Sequence, residues 1–214
     1  MDPLLLVIVA IAAVLGIRWY RGGRENAAVL LSATRALERA FSPVDTQYTN
    51  IGGTVGYNFV YSLSAPFRRL EGTLTTLPRH AVLYLPISVW ILKREDLLLF
   101  TVYYDALPPG IGHIAEAERF RRGSIPLDDR ENLDVTWITR ERRTFSILWY
   151  NAFVRKRLEG FLDQLSDSTL ECLHYVGYFG GESSLAFTLN PIHPSLEKAL
   201  AELVEVLRGF GNEV

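Results

Sequence analysis

Residues 54–63 read TVGYNFVYSL, and their alternation decides the fold class. Val55, Tyr57, Phe59, Tyr61 and Leu63 interleave with Thr54, Gly56, Asn58, Val60 and Ser62, a period of two that defines a strand with one buried face. Ser64 to Arg69 breaks the run at Pro66, and threonine-rich Leu70–Leu77 reads as its antiparallel partner. On the upstream side Gly52-Gly53 invites a phosphate-loop reading. No Gly-Lys-Ser/Thr follows and a strand comes next, so no helix N-terminus faces an anion, and the pair reads as a turn entering the strand.

Working downstream, Leu97–Tyr104 (LLLFTVYY) is apolar on both faces, as a central strand requires. Asp105–Leu133 is a long irregular stretch with a helical turn or two around Ala115–Arg121, a surface excursion or a partner-binding loop. Asp134–Thr139 and Thr144–Tyr150 form a hairpin, after which Asn151 caps a helix with the stripe Val154, Leu158, Phe161, Leu162 and Leu165. Thr169–Tyr178 and Ser183–Leu189 read as a second hairpin turning near Gly180-Gly181, where glycine tolerates positive φ. Pro194 opens a last helix with the stripe Leu196, Leu200, Leu203, Val204 and Leu207, ended by Gly209 and Gly211. These elements predict an α+β domain, a mainly antiparallel sheet covered by helices.

Upstream of the first strand, Ala27, Leu30, Leu31, Leu37 and Phe41 mark a helix over about Glu25–Phe41 that Ser42-Pro43 stops. Ahead of it, Pro3–Ile17 (PLLLVIVAIAAVLGI) carries no charge, and Arg18, Trp19, Tyr20, Arg21 and Arg24 follow. Fifteen residues rise roughly 22 Å, short of a hydrocarbon core of about 30 Å. Extension to Tyr20, with Arg18 snorkelling and the aromatic pair at headgroup depth, makes the segment a workable transmembrane helix. Ala10-Ile11-Ala12 resembles a signal-peptidase site, but Asp2 replaces the basic residues that precede such a signal. The expected division is an anchor over residues 1–23 and a soluble domain over 24–214. The arginines after the run predict an external N-terminus and a cytoplasmic domain.

Ala81–Leu92 (AVLYLPISVWIL) is too short to span a bilayer. It admits three readings: a core helix kinked by Pro86, two short buried strands, or an element dipping into the membrane interface beside the anchor. The core element is the leading expectation. On the interfacial reading, Arg79, Trp90, Lys93 and Arg94 are the lipid contacts.

The chemistry of the remaining residues is sparse. A formal net charge of −2 and a pI near 6.1 supply no basic field, so nucleic acid is not an expected partner. Cys172 is the single cysteine, which excludes an internal disulfide and a multi-cysteine metal site. His80, His113, His174 and His193 are isolated, so neither metal nor cofactor is expected. Cys172 and His174 share a strand face if the second hairpin holds, but a buried thiol is ordinarily inert. Asp128, Asp129, Glu131 and Asp134 lack the Asp-x-Asp-x-Asp-Gly calcium pattern and read as a solvated loop. Arginine clusters at Arg68-Arg69, Arg119-Arg121-Arg122, Arg140-Arg142-Arg143 and Arg155-Lys156-Arg157 are either solvated faces or contacts for anionic lipid. The leading functional expectation is a membrane-anchored, non-catalytic binding or assembly module with a protein partner. The alternative is a membrane-surface enzyme or lipid-binding protein acting on a lipid or lipid-linked ligand.

Overall fold

A computed structural model describes residues 2–123, 132–140 and 143–210. Helix α1 runs unbroken from Pro3 to Phe41, capped by the Asp2 carboxylate at its start and by Ser42 in the left-handed region at its end. At 39 residues it is about 58 Å long. The chain passes through Gly22-Gly23 without a break, so the apolar run and the first domain helix are one rod. Its N-terminal part is exposed, while Gly22, Asn26, Ala33, Ala36, Leu37 and Phe41 are buried. It is long and apolar enough to cross a membrane, with a mean hydropathy of 2.1 over an 18-residue window.

The strands follow as β1 (Asp45–Asn50), β2 (Gly56–Ser62), β3 (Phe67–Thr75), β4 (Leu97–Tyr104), β5 (Ile111–Glu116), β6 (Asp134–Arg140), β7 (Arg143–Trp149), β8 (Leu173–Phe179) and β9 (Ser184–Leu189). Among the described residues they form one antiparallel sheet in the order β1-β2-β3-β4-β9-β8-β5-β7-β6. Helix α2 spans Ala117–Arg121, α3 Ala152–Asp163, α4 Asp167–Cys172 and α5 Leu196–Phe210. The α+β class predicted from the period-two runs is the observed one, and LLLFTVYY lies inside the sheet as β4.

One core contains the inward residues of the sheet and the apolar stripes of α1, α3, α4 and α5; Phe59, Tyr61, Phe100, Phe187, Leu37, Phe161, Leu200 and Leu203 are all inside it. Among the described residues a second, smaller apolar cluster of Ala115, Phe120 and Leu148 lies under α2. Asn151 caps α3 as its position predicts, its Oδ1 accepting from Val154 N at 2.9 Å.

Four local expectations are corrected. Ile111–Glu116 is a strand inside the stretch expected to be irregular, whereas the edge strand Asp45–Asn50 lies where no element was expected. Residues 167–172 are helix α4, so the second hairpin begins only at Leu173. At its turn the residue with positive φ is Ser183, not a glycine; Gly180 is needed because a Cβ there would stand 2.9 Å from Gly110 N and closer to the Pro108 carbonyl. Finally, Ala81–Leu92 is not a core element: Leu83, Trp90 and Ile91 are 80%, 78% and 71% exposed. Gly211, expected to help end the last helix, lies outside the described residues.

Candidate functional site at the anchor end of the sheet

The β3–β4 connection is built on a buried carboxylate. Asp96 stands just before β4 with 2% of its side chain exposed. Its Oδ1 accepts from Leu77 N and from Arg79 Nη1, both at 2.8 Å, and its Oδ2 from Arg79 Nη2 at 2.6 Å. This two-pronged pairing, with the Asp96 hydrogen bond as its largest contribution, raises the Arg79 pKa above its ordinary value. Asn26, fully buried on α1, completes the node: its Nδ2 donates to the Leu77 carbonyl at 2.8 Å and its Oδ1 accepts from Arg79 Nη1 at 3.0 Å. One turn nearer the N-terminus, Gly22 lies against the Arg79–His80 peptide. Going from Leu77 to His80, the chain therefore climbs α1 from residue 26 towards residue 22, in the direction of the exposed apolar run.

Beyond His80 the chain forms a helical hook. Leu85 N donates to Ala81 O and Ser88 N to Tyr84 O, and Ile87–Ile91 is a π-helical turn in which Leu92 N reaches Ile87 O. Pro86 sits at its entry, where its missing N–H costs no interior bond. Lys93, at φ +48, reverses the chain, and Arg94 N bonds Ser88 O. The hook buries Ser88 and turns its apolar side chains outward. Trp19, Tyr20, Gly23, Gly53 and His80 border one concavity, so the β1–β2 turn and the hook flank α1 where its apolar run ends.

Behind the hook lies a cleft of about 830 Å³ whose walls include Val55, Thr75, Tyr84, Leu92, Arg94 and Arg122. Helix α2 reaches it from the far side, and Arg119 ties the two walls with a pair of short bonds to Glu95. Arg119 also contacts Glu116 at 3.2 Å.

Glu116 anchors a second polar cluster at this end. Its Oε2 lies 2.7 Å from Arg143 Nη2 and 3.3 Å from His174 Nδ1, and neither buried ring nitrogen of His174 has a well-aligned hydrogen bond. Arg143 Nη1 also donates to the carbonyls of Leu170 and Glu171 at 2.6 and 2.8 Å, satisfying the end of α4. His174, and then Arg143, hold the Glu116 carboxyl down at about 2 against the opposing pull of burial. A carboxylate lowered on folding contributes stability that is complete above its unfolded pKa and lost as pH falls towards the folded one. Between about pH 4.5 and pH 2 the protein is expected to lose on the order of 2–3 kcal/mol through this group. Thermal unfolding of Glu116→Gln in mild detergent is expected to show a flatter acid limb than the parent.

Of the residues expected to contact lipid, Arg18, Trp19 and Tyr20 are exposed on α1, and the Arg24 guanidinium stands 5.8 Å over the Tyr20 ring. Trp90 is at the tip of the hook, with Lys93 and Arg94 at its return, whereas Arg79 is committed to Asp96 and Asn26. Arg69, Arg140 and Arg155 are paired with Glu71, Asp163 and Glu159. Asp128, Asp129, Glu131, Glu141 and Arg142 lie outside the described residues. Cys172 sits on α4 and meets His193, not His174, its Sγ 2.9 Å from Nδ1. Burial pushes that thiol up to about 12, the direction that disfavours the reactive thiolate. Gly22, Asn26 and Asp96 went unread in the sequence. The available signals were a polar residue on the apolar face of α1 and a lone acid ahead of an apolar strand.

No protein-family model and no curated protein matches the chain. A solved structure with some likeness is the crystal structure of the mycobacterial trehalose monomycolate transport factor A, TtfA, with a TM-score of 0.33 and 8% identity over 76% of this chain and 71% of that one.

Proposed function

We propose that the chain is a membrane-anchored, non-catalytic binding module that sits on the lipid surface at two points, the helix α1 and the hook at 81–92. The observation that carries this reading is the fastening of the hook to α1 at Gly22 and Asn26, which holds its exposed apolar tip beside the end of the apolar run. Fully burying a side chain such as Leu83 or Ile91 is worth roughly 1.5–3 kcal/mol, a gain that water denies and a bilayer interface supplies. Arg18, Arg21, Arg24, Lys93 and Arg94 then lie at headgroup depth, where cations meet phosphates. With three arginines following the run, the positive-inside rule assigns the domain to the cytoplasmic side. A protein partner takes the sheet face that carries α2, on which the described residues form only the small cluster of Ala115, Phe120 and Leu148.

The test is a set of environment-sensitive labels on the full chain in phosphatidylcholine vesicles, with Cys172→Ala removing the native thiol. Labels at Leu83→Cys and Trp90→Cys are expected to be quenched by brominated acyl chains. A label at Tyr150→Cys, exposed at the opposite end of the sheet, is expected not to be. Equal quenching at positions 90 and 150 would refute the reading.

A further inference from the structure

We propose that the cleft behind the hook holds one anionic lipid, its phosphate on Lys93, Arg94 and Arg122 and its acyl chains leading past Tyr84 and Leu92 towards the bilayer. This deepens the preceding reading and rests on it, because the hook must lie in the interface for a lipid to enter from that side.

The first argument is charge. Arg119 is neutralised by Glu95 and Glu116. Arg122 pairs with Glu118 across the α2 surface, with 55% and 67% of the two side chains exposed, a pairing that a buried anion outcompetes. Among the described residues Lys93 and Arg94 have no carboxylate within ion-pair distance, and both line the cleft and the smaller concavity beside it, of about 320 Å³. Glu95, Glu116 and Glu118 also border that concavity, but they are engaged by Arg119, Arg143 and Arg122, so within the cleft the positive charge left without a partner is that of Lys93 and Arg94. The second argument is that the walls are divided. Val55, Leu77, Pro78, Tyr84, Leu92 and Leu97 supply apolar surface, and the cations supply the polar end. A volume near 830 Å³ falls within the range of about 300–1,000 Å³ of small-molecule sites and takes a headgroup with the first part of its chains. The third is continuity, since Leu92 and Tyr84 belong both to the cleft and to the hook whose outer face is exposed.

The experiment is native mass spectrometry of the full chain in mild detergent, titrated with dioleoyl phosphatidylglycerol, dioleoyl phosphatidylcholine or inorganic phosphate. The expected result is one retained phosphatidylglycerol, preferred over phosphatidylcholine by about tenfold or more, a difference of about 1.4 kcal/mol. The double variant Arg94→Glu/Arg122→Glu is expected to bring the two lipids within about twofold of each other, a loss of most of the 1.4 kcal/mol that tenfold represents. Arg68→Glu/Arg69→Glu, at the opposite end of β3, is expected to leave the preference intact. Thermal unfolding identical to the parent checks that the double variant folds. Equal retention of the two lipids, or a preference that survives the double variant, would overturn the proposal. Displacement of the lipid by millimolar inorganic phosphate would overturn it too, by making the cleft a site for a free anion. Failure here is separable from failure of the two-point reading, because the labels at positions 83 and 90 report insertion into phosphatidylcholine, where no anionic lipid is present.

Discussion

Replacing Arg79 with methionine is expected to destabilise the domain by about 3–5 kcal/mol, the cost of stranding one member of a buried ion pair. Asp96 has 2% of its side chain exposed, and Arg79 supplies two of its three hydrogen bonds. With the guanidinium gone, the carboxylate keeps only Leu77 N, and water cannot replace the lost donors without opening the base of the hook. Asp96→Asn alone is expected to cost less, because the side chain left behind, Arg79, is 19% exposed and keeps Asn26 Oδ1. The double variant Arg79→Met/Asp96→Asn should recover part of the loss, since a neutral amide needs no counter-charge. That pattern gives a coupling energy between the two sites rather than two independent losses. Denaturation midpoints for the four proteins measure it, and amide exchange over residues 77–96 shows whether the hook loosens first. Additive effects would mean that the pair is a surface contact despite its burial.

What was legible in the sequence follows from how many residues carry each signal. The ten residues of 54–63 repeat one alternation and the eight of LLLFTVYY form an unbroken apolar run, so no single exception hides either strand. Asn151 was legible because a cap is local: its carboxamide needs only an amide three residues on. β1 escaped notice because DTQYTN, on an edge, is largely exposed on both faces and shows no alternation. β5 escaped because Pro108-Pro109-Gly110 precedes it and its six residues include a glycine and a histidine. α4 was read as strand because six residues are too few for a period of 3.6 to be told from one of two.

The hook failed for a different reason. An apolar run states that water is excluded but not by what, and a protein core and a lipid bilayer ask for the same side chains. The residues that place the run beside α1 are Gly22, Asn26, Arg79 and Asp96, which stand up to 74 positions apart and reveal their connection only when folded. Arg79 shows the effect at one position: in sequence it flanks the apolar run as a lipid-facing cation would, while in the fold it is the counter-ion of Asp96.

Adjacent glycines offer the sharpest test of how the hook is held. Gly22→Ala and Gly23→Ala make the same chemical change in the same helix, and each gains up to about 1 kcal/mol of helix propensity. A Cβ on Gly23 meets nothing within 4 Å. A Cβ on Gly22 would stand 2.6 Å from His80 N and closer to the Arg79 carbonyl, and because both are backbone, no side-chain rotation relieves the overlap. Overpacking of this kind costs about 1–3 kcal/mol, so Gly22→Ala is expected to come out net destabilising and Gly23→Ala neutral or stabilising. The strain falls at the junction of α1 and the hook, so tryptic cleavage after Arg79 should accelerate in the first variant only. In vesicles the same variant should weaken quenching at position 90 while leaving α1 inserted, because the helix itself is improved and only its grip on the hook is lost. If both variants behave alike, the hook is not registered to α1 through Gly22, and its position beside α1 is set by the Asn26–Arg79–Asp96 node alone.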